Sequence, residues 1–171
     1  MSDICTLFRT AVERIIAVMI RDDQIARLMG AGALALLLGA LGFQYFAHLA
    51  PCEMCHWQRW PYIAAAVIGL VLVSFWKKDL RLLAKLTIAL VAVSGLIGAY
   101  QTGMQMGFLP GPGACTVDHP YVMGSGAPDP EISCNAVTWS LFGLSLAAYN
   151  ALISFALAAT GTSLLRRSHA T

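Results

Sequence analysis

The stretch LMGAGALALLLGALGFQYFAHLA, residues 28–50, carries no Asp, Glu, Lys or Arg in 23 positions. A hydrocarbon core about 30 Å thick takes about 20 mostly apolar residues to cross as a helix, so this stretch is long enough to span a bilayer. Three further apolar blocks follow at about 60–76, 82–100 and 139–165. Backbone N–H and C=O groups in hydrocarbon have no water to bond, which makes each span a helix. Across the 171 residues 58% are hydrophobic and 12% charged, against about 45–50% apolar and about 25% charged in soluble domains. The sequence therefore predicts an all-α fold, a four-helix transmembrane bundle that forms a single membrane domain over residues 1–171, with no internal repeat. Gly30, Gly32, Gly39, Gly69, Gly95, Gly98 and Gly143 are tolerable in or beside such helices and permit them to approach closely.

Positively charged loops stay in the cytoplasm, and the basic residues are unevenly placed. Of 11, Arg9, Arg14, Arg21 and Arg27 precede the first span, Lys77, Lys78, Arg81 and Lys85 lie at the second connection, and Arg166 and Arg167 follow the fourth span. Arg59 alone falls on the other side. Both termini are thus predicted cytoplasmic, with outer loops at about 51–59 and 101–138. Trp57, Trp60, Tyr62, Tyr100 and Trp139 then gather near the outer interface, where amphipathic rings are favoured. Ahead of the first span, Leu7, Phe8, Val12, Ile15, Ile16 and Met19 recur at helical spacing among charges, the pattern of a short N-terminal amphipathic helix lying on the membrane surface. The expected surroundings are a lipid bilayer, and no nucleic-acid partner is expected.

This topology sorts the five cysteines. Cys52 and Cys55 fall in the first outer loop, Cys115 and Cys134 in the second, and Cys5 in the cytoplasmic tail. Disulfides persist in the periplasm and are scarce in the cytosol, so an even set outside with one left inside is what two redox pairs would look like. Attachment of lipid at Cys52 fits poorly. The preceding apolar run exceeds the roughly 7–15 residues of a signal h-region, and Pro51 stands where a small residue is expected. Two other readings stay open. The four outer cysteines with His56 or His119 have the chemistry of a zinc site, although the C-x18-C spacing of the second pair lacks the usual paired pattern, and no metal ligand set is assigned. Alternatively the protein is non-catalytic, its outer cysteines forming structural disulfides.

A redox reading has local chemistry behind it. Trp60 and Pro61 open the second span, which puts C-x-x-C in the turn before that helix or in its first turn. Free N–H groups and the positive end of the helix dipole stabilise a thiolate there. Arg59 follows Cys55 by four residues and shares its helix face, which aims the lone outer cation at a thiol and at any electronegative oxygen nearby. The segment 107–134, rich in Pro and Gly, forbids a long helix and suits a cysteine that must travel between exchange partners.

The ordered combination of four spans, the segment P-C-x-x-C-x-x-Q-R (Pro51 to Arg59), the later pair Cys115 and Cys134, and WSLFGLS (Trp139 to Ser145) resembles the DsbB disulfide bond formation proteins of bacterial inner membranes. WSLFGLS looks like the start of the family's last helix. In vitamin K epoxide reductase-like proteins the loop pair precedes the C-x-x-C; here it follows. The resemblance implies a protein-disulfide:quinone oxidoreductase with its redox loops facing the periplasm. Cys115 and Cys134 would exchange with a DsbA-type periplasmic thiol oxidase, and Cys134 would pass the exchange to Cys52. Cys55 and Arg59 would meet a membrane quinone, ubiquinone or menaquinone, as the cofactor. Several family members carry a histidine near the outer end of the third helix. Here Gln101 and Thr102 stand there, and Gln101 is the expected substitute for contact with the quinone.

Overall fold

The structure, a computed structural model, describes residues 21–112 and 133–168. The expected N-terminal amphipathic helix lies outside these residues, as do Cys5, Cys115 and His119. Four helices dominate: α1 Asp22–Tyr45, α2 Glu53–Phe75, α3 Leu80–Gln105 and α4 Leu146–Arg167, each long and apolar enough to cross a membrane. Before α4 runs a small antiparallel hairpin of β1 (Ser140–Leu141) and β2 (Leu144–Ser145).

The helix ends differ from the apolar blocks in ways that local chemistry explains. α1 starts at Asp22, with Asp22 and Asp23 at the positive end of its dipole and Gln24 Oε1 accepting from the Arg21 N–H at 3.1 Å. α3 continues past Tyr100 to Gln105, which carries Gln101 and Met104 round into the bundle as buried residues. α2 starts at Glu53, well before Trp60, and takes Pro61 into its interior. WSLFGLS does not open the last helix. Phe142 and Gly143 adopt φ of 51° and 78°, two consecutive left-handed residues that fold a tight hairpin. Ser145 then caps α4 by accepting from the Ala148 N–H at 3.3 Å.

α3 is the central element, packed against α1, α2 and α4. The core has three layers. At the end where α1 begins and α4 finishes lie Ile25, Met29, Val73, Ala84, Ile88 and Leu165; in the middle Ala33, Tyr62, Ala65 and Val91; at the far end Cys52, Met54, Met104 and Cys134. Large apolar side chains such as Leu38, Leu96 and Leu152 face outward, while Thr87, Ser94 and Ser154 are buried. This suits a bundle whose solvent is hydrocarbon, where polar groups find partners inside.

α1 and α2 meet backbone to backbone at Gly30 and Gly69. A Cβ built on Gly69 would stand 2.8 Å from Gly30 Cα and would also collide with the Ala26 carbonyl oxygen. α2 is wound as a π-helix over Val67–Leu72 at this level. Gly39, by contrast, has nothing within 4 Å and borders a cavity. Gly69→Ala should therefore lower unfolding stability by about 1–3 kcal/mol, the usual range for overpacking, measured as a fall in the melting temperature of the detergent-solubilised protein. Gly39→Ala should leave that temperature unchanged.

Candidate redox site at the head of the second helix

Cys52 is the N-cap of α2 and Cys55 its third residue. That spacing stacks the two side chains over one turn. The Cys55 N–H donates to Cys52 Sγ at 3.3 Å, and the two Sγ atoms lie 2.6 Å apart as free thiols. A sulfur thus takes the capping role usually given to a hydroxyl or carboxylate oxygen, at the positive end of the helix. The Cys52 thiol is pushed above the ordinary thiol range, first by the hydrogen bond it shares with Cys55 and then by burial. It is the sulfur that keeps a proton when the pair holds one.

Gln101 reaches the pair from α3. Its Nε2 donates to Cys52 Sγ at 3.1 Å and lies 3.7 Å from Cys55 Sγ. The cation expected to serve the thiols acts on Cys55 through its charge and not through a hydrogen bond to sulfur: Arg59 donates from a terminal nitrogen to Gln44 Oε1 on α1 at 2.7 Å. Its Nε is buried and has no hydrogen-bond partner among the described residues. Arg59 and Cys55 still share a face, because both line the same cavity. Gln101, which the sequence offers as a contact for a bound molecule, is the direct hydrogen-bond donor to sulfur.

That cavity, about 390 Å³, is walled by Ala35, Leu36, Gly39 and Phe43 of α1 and by Leu146 and Ile153 of α4, with Cys52, Cys55 and Arg59 on the α2 side. Phe43, Trp139 and Tyr149 form an aromatic run beside it, with ring centroids 5.2 and 6.2 Å apart. An apolar slot holding a few polar groups is the usual make-up of a small-molecule site. A quinone ring needs apolar walls and a donor for a carbonyl oxygen, and the orphaned Arg59 Nε–H is such a donor. The residues present fit that group.

Cys134 is fully buried, disulfide-bonded, and packed in the same cluster as Cys52, Met54 and Met104. Cys115, its expected partner, falls outside the described residues. Gln44, Tyr62 and Asn150 also line the cavity, although the sequence does not mark them as site residues, as does Gln58, which the sequence fixes in P-C-x-x-C-x-x-Q-R without a role. Asn150 did carry a signal, as an amide set in the apolar block 139–165, and polar residues within a span are functional candidates by default.

The described residues form a bundle of four membrane-capable helices with a thiol pair at the head of one of them. The family model for disulfide bond formation protein DsbB matches residues 22–164, and the chain belongs to that family. It is a disulfide bond formation protein and a multi-pass membrane protein. Among its relatives, disulfide bond formation protein B of Aromatoleum aromaticum is 31% identical over 134 residues, covering 68% of this chain and 78% of the relative. The protein of the same name from Dechloromonas aromatica is 32% identical over 136 residues, with 73% and 81% covered. No solved structure matches the chain.

Proposed function

We propose that this protein is a quinone-dependent membrane thiol oxidase. It reoxidises a DsbA-type periplasmic dithiol protein by thiol–disulfide exchange and hands the electrons to a membrane quinone, ubiquinone or menaquinone. One observation carries this reading: Cys52 faces two ways, lining the cavity with Cys55 and Arg59 while sharing a buried cluster with Cys134. The C-x-x-C pair thus stands between the second cysteine pair and a site suited to an electron acceptor.

The exchange runs as follows. The reduced partner attacks the Cys115–Cys134 disulfide, forming a mixed disulfide on Cys115 and releasing Cys134 as a thiolate. The partner's second thiol resolves the mixed disulfide and leaves with its own disulfide formed. Cys134 then attacks the Cys52–Cys55 disulfide at Cys52, frees Cys55 and, once Cys115 resolves the link, restores the outer disulfide. DsbA-type proteins are strong oxidants at about −120 mV, so regenerating them takes a still stronger acceptor. Bound in the cavity, a quinone supplies an acceptor for the two electrons and two protons released when Cys52 and Cys55 rejoin. Arg59 offers its free Nε–H to a carbonyl oxygen, Gln44 holds the guanidinium in place, and the apolar walls from α1 and α4 exclude water.

The distribution of basic residues supports both termini in the cytoplasm and the redox loops in the periplasm of a bacterial inner membrane, with residues 1–171 acting as one membrane domain. The test uses Cys134→Ser. The lone Cys115 thiolate is offered a DsbA-type partner that lacks its second active-site cysteine and carries thionitrobenzoate on the first; Cys115 displaces thionitrobenzoate, and neither protein keeps a thiol placed to resolve the mixed disulfide. A reductant-sensitive adduct, mapped by mass spectrometry to Cys115 and to the partner's remaining active-site cysteine, is expected. Failure of Cys134→Ser to form any adduct with an added DsbA-type protein would remove this partner from the scheme.

A further inference from the structure

Side chains from three helices form a hydrogen-bonded series that runs from the middle of the bundle to the thiol pair. Tyr62 Oη donates to Asn150 Oδ1. Asn150 Nδ2 donates to Gln58 Oε1 at 2.8 Å, and Gln58 Nε2 donates to Gln101 Oε1 at 2.6 Å. Gln101 Nε2 then donates to Cys52 Sγ at 3.1 Å. Every donor points the same way, toward sulfur. Tyr62, Gln58 and Gln101 are 2%, 7% and 3% exposed, so water does not offer them an alternative partner.

Direction matters because a primary amide is nearly symmetric in shape. A Gln at the position of Gln101 fits equally well with its carbonyl oxygen or its NH2 toward the sulfurs, and only the neighbours decide between the two. Here they decide it. Turned over, Gln101 would set its NH2 against the NH2 of Gln58 and its carbonyl oxygen against a sulfur lone pair. Gln58 is held in turn by Asn150, whose Nδ2 also donates to the Ser94 backbone carbonyl at 3.4 Å and whose Oδ1 accepts from Tyr62. Ser94 Oγ also donates to the Gln58 backbone carbonyl at 2.9 Å, fixing the stem of that side chain. Aligned hydrogen bonds in a low-dielectric interior polarise one another, so the last N–H is a better donor for having the series behind it.

We propose that Gln58, Asn150 and Tyr62 are positioning residues that lock the Gln101 amide with its N–H toward Cys52 and Cys55 and so favour the reduced form of the pair. This rests on the reading of Cys52 and Cys55 as the redox pair. Reducing their disulfide takes two electrons and, at neutral pH, one proton when one sulfur remains a thiolate. With Cys52 keeping the proton, the thiolate is Cys55, which the same Gln101 Nε2 reaches at 3.7 Å, and a thiolate accepts a hydrogen bond far better than a disulfide sulfur does. The locked donor therefore acts on one side of the couple only. It makes the C-x-x-C disulfide a stronger acceptor toward Cys134 than the helix terminus alone would make it.

The experiment equilibrates the protein in detergent, without quinone, against graded glutathione redox buffers rich in the oxidised form, which reach the potential range of a DsbA-type partner. The reduced fraction at Cys52 and Cys55 is read by alkylation and peptide mass mapping. Gln101→Met should shift the equilibrium about tenfold toward the disulfide, about 30 mV for a two-electron couple. Gln58→Met should give most of that shift and Tyr62→Phe a smaller part of it in the same direction. The decisive arm is the double variant. Because Gln58 acts through Gln101, Gln58→Met should add less than twofold on a Gln101→Met background, whereas a general packing defect would add its full effect. Tyr62→Phe keeps the ring and serves where Gln58→Met does not fold. Single variants within twofold of the parent, or full additivity in the double variant, would overturn the proposal. A parent protein whose Cys52 and Cys55 cycle with glutathione but never with quinone would instead remove the proposed function and leave this coupling standing.

Discussion

Cys52→Ser and Cys55→Ser are each expected to abolish quinone reduction driven by a reduced DsbA-type partner, down to the rate seen without protein. The size of the effect follows from connectivity. A serine hydroxyl forms no disulfide, so electrons arriving at Cys134 have no second pair to enter. Helix integrity should survive, because serine at position 52 is a better N-cap than cysteine and Cys52 already fills that position. The assay follows loss of quinone absorbance in purified protein with excess reduced partner. Cys5→Ser, assayed alongside, should keep full activity. Equal activity in both C-x-x-C variants would mean that the pair at the head of α2 is structural.

The second large effect is expected at Arg59. Its Nε is buried without a partner among the described residues, a state that costs free energy unless a ligand supplies the acceptor. Arg59→Met keeps most of the side-chain volume beside the cavity and removes the charged donor. A hydrogen bond to a charged group contributes about 1.5–3 kcal/mol, which corresponds to a rise in KM for quinone of about 10- to 150-fold. The rate of exchange between partner and protein, measured in a single turnover without quinone, should not change. Arg59→Lys should recover little, since a lysine presents a point charge and not the planar fork held by Gln44. A Gln44→Leu variant, which releases that fork, should raise KM in the same direction by less.

The four helices were legible because hydropathy is summed over some 20 residues and no local detail outweighs it. Their ends were less so. The block 139–165 reads as one span, yet Phe142 and Gly143 turn the chain first and the helix waits for the Ser145 cap; Trp, Leu and Phe in a hairpin are as apolar as in a helix. The thiol pair was legible from its own spacing, since C-x-x-C ahead of an apolar run places one sulfur at the N-cap and the other one turn on. Arg59 was legible as a neighbour of Cys55 on one helix face but not in its bonding, because Gln44 comes from another helix. The series from Tyr62 to Gln101 was hidden for the same reason. Gln58 and Gln101 are 43 residues apart and Gln58 and Asn150 are 92 apart, and a sequence does not state which faces of packed helices meet. What it did show is an amide in each of three spans or their margins, a costly choice in a membrane that calls for partners.

Electrons are expected to leave Cys52 and Cys55 for a quinone held beside Arg59. The direct measurement is made on full-length protein reduced at all outer cysteines, freed of reductant under anaerobic conditions and mixed with quinone alone. Thiols are trapped by acid and alkylation over time and mapped by mass. The Cys52–Cys55 disulfide is expected to form first, with one quinone reduced per disulfide, and the Cys115–Cys134 disulfide to follow by exchange. Cys52 and Cys55 that stay reduced while quinone remains oxidised, or an outer pair that oxidises at full rate in Cys52→Ser, would contradict this electron path.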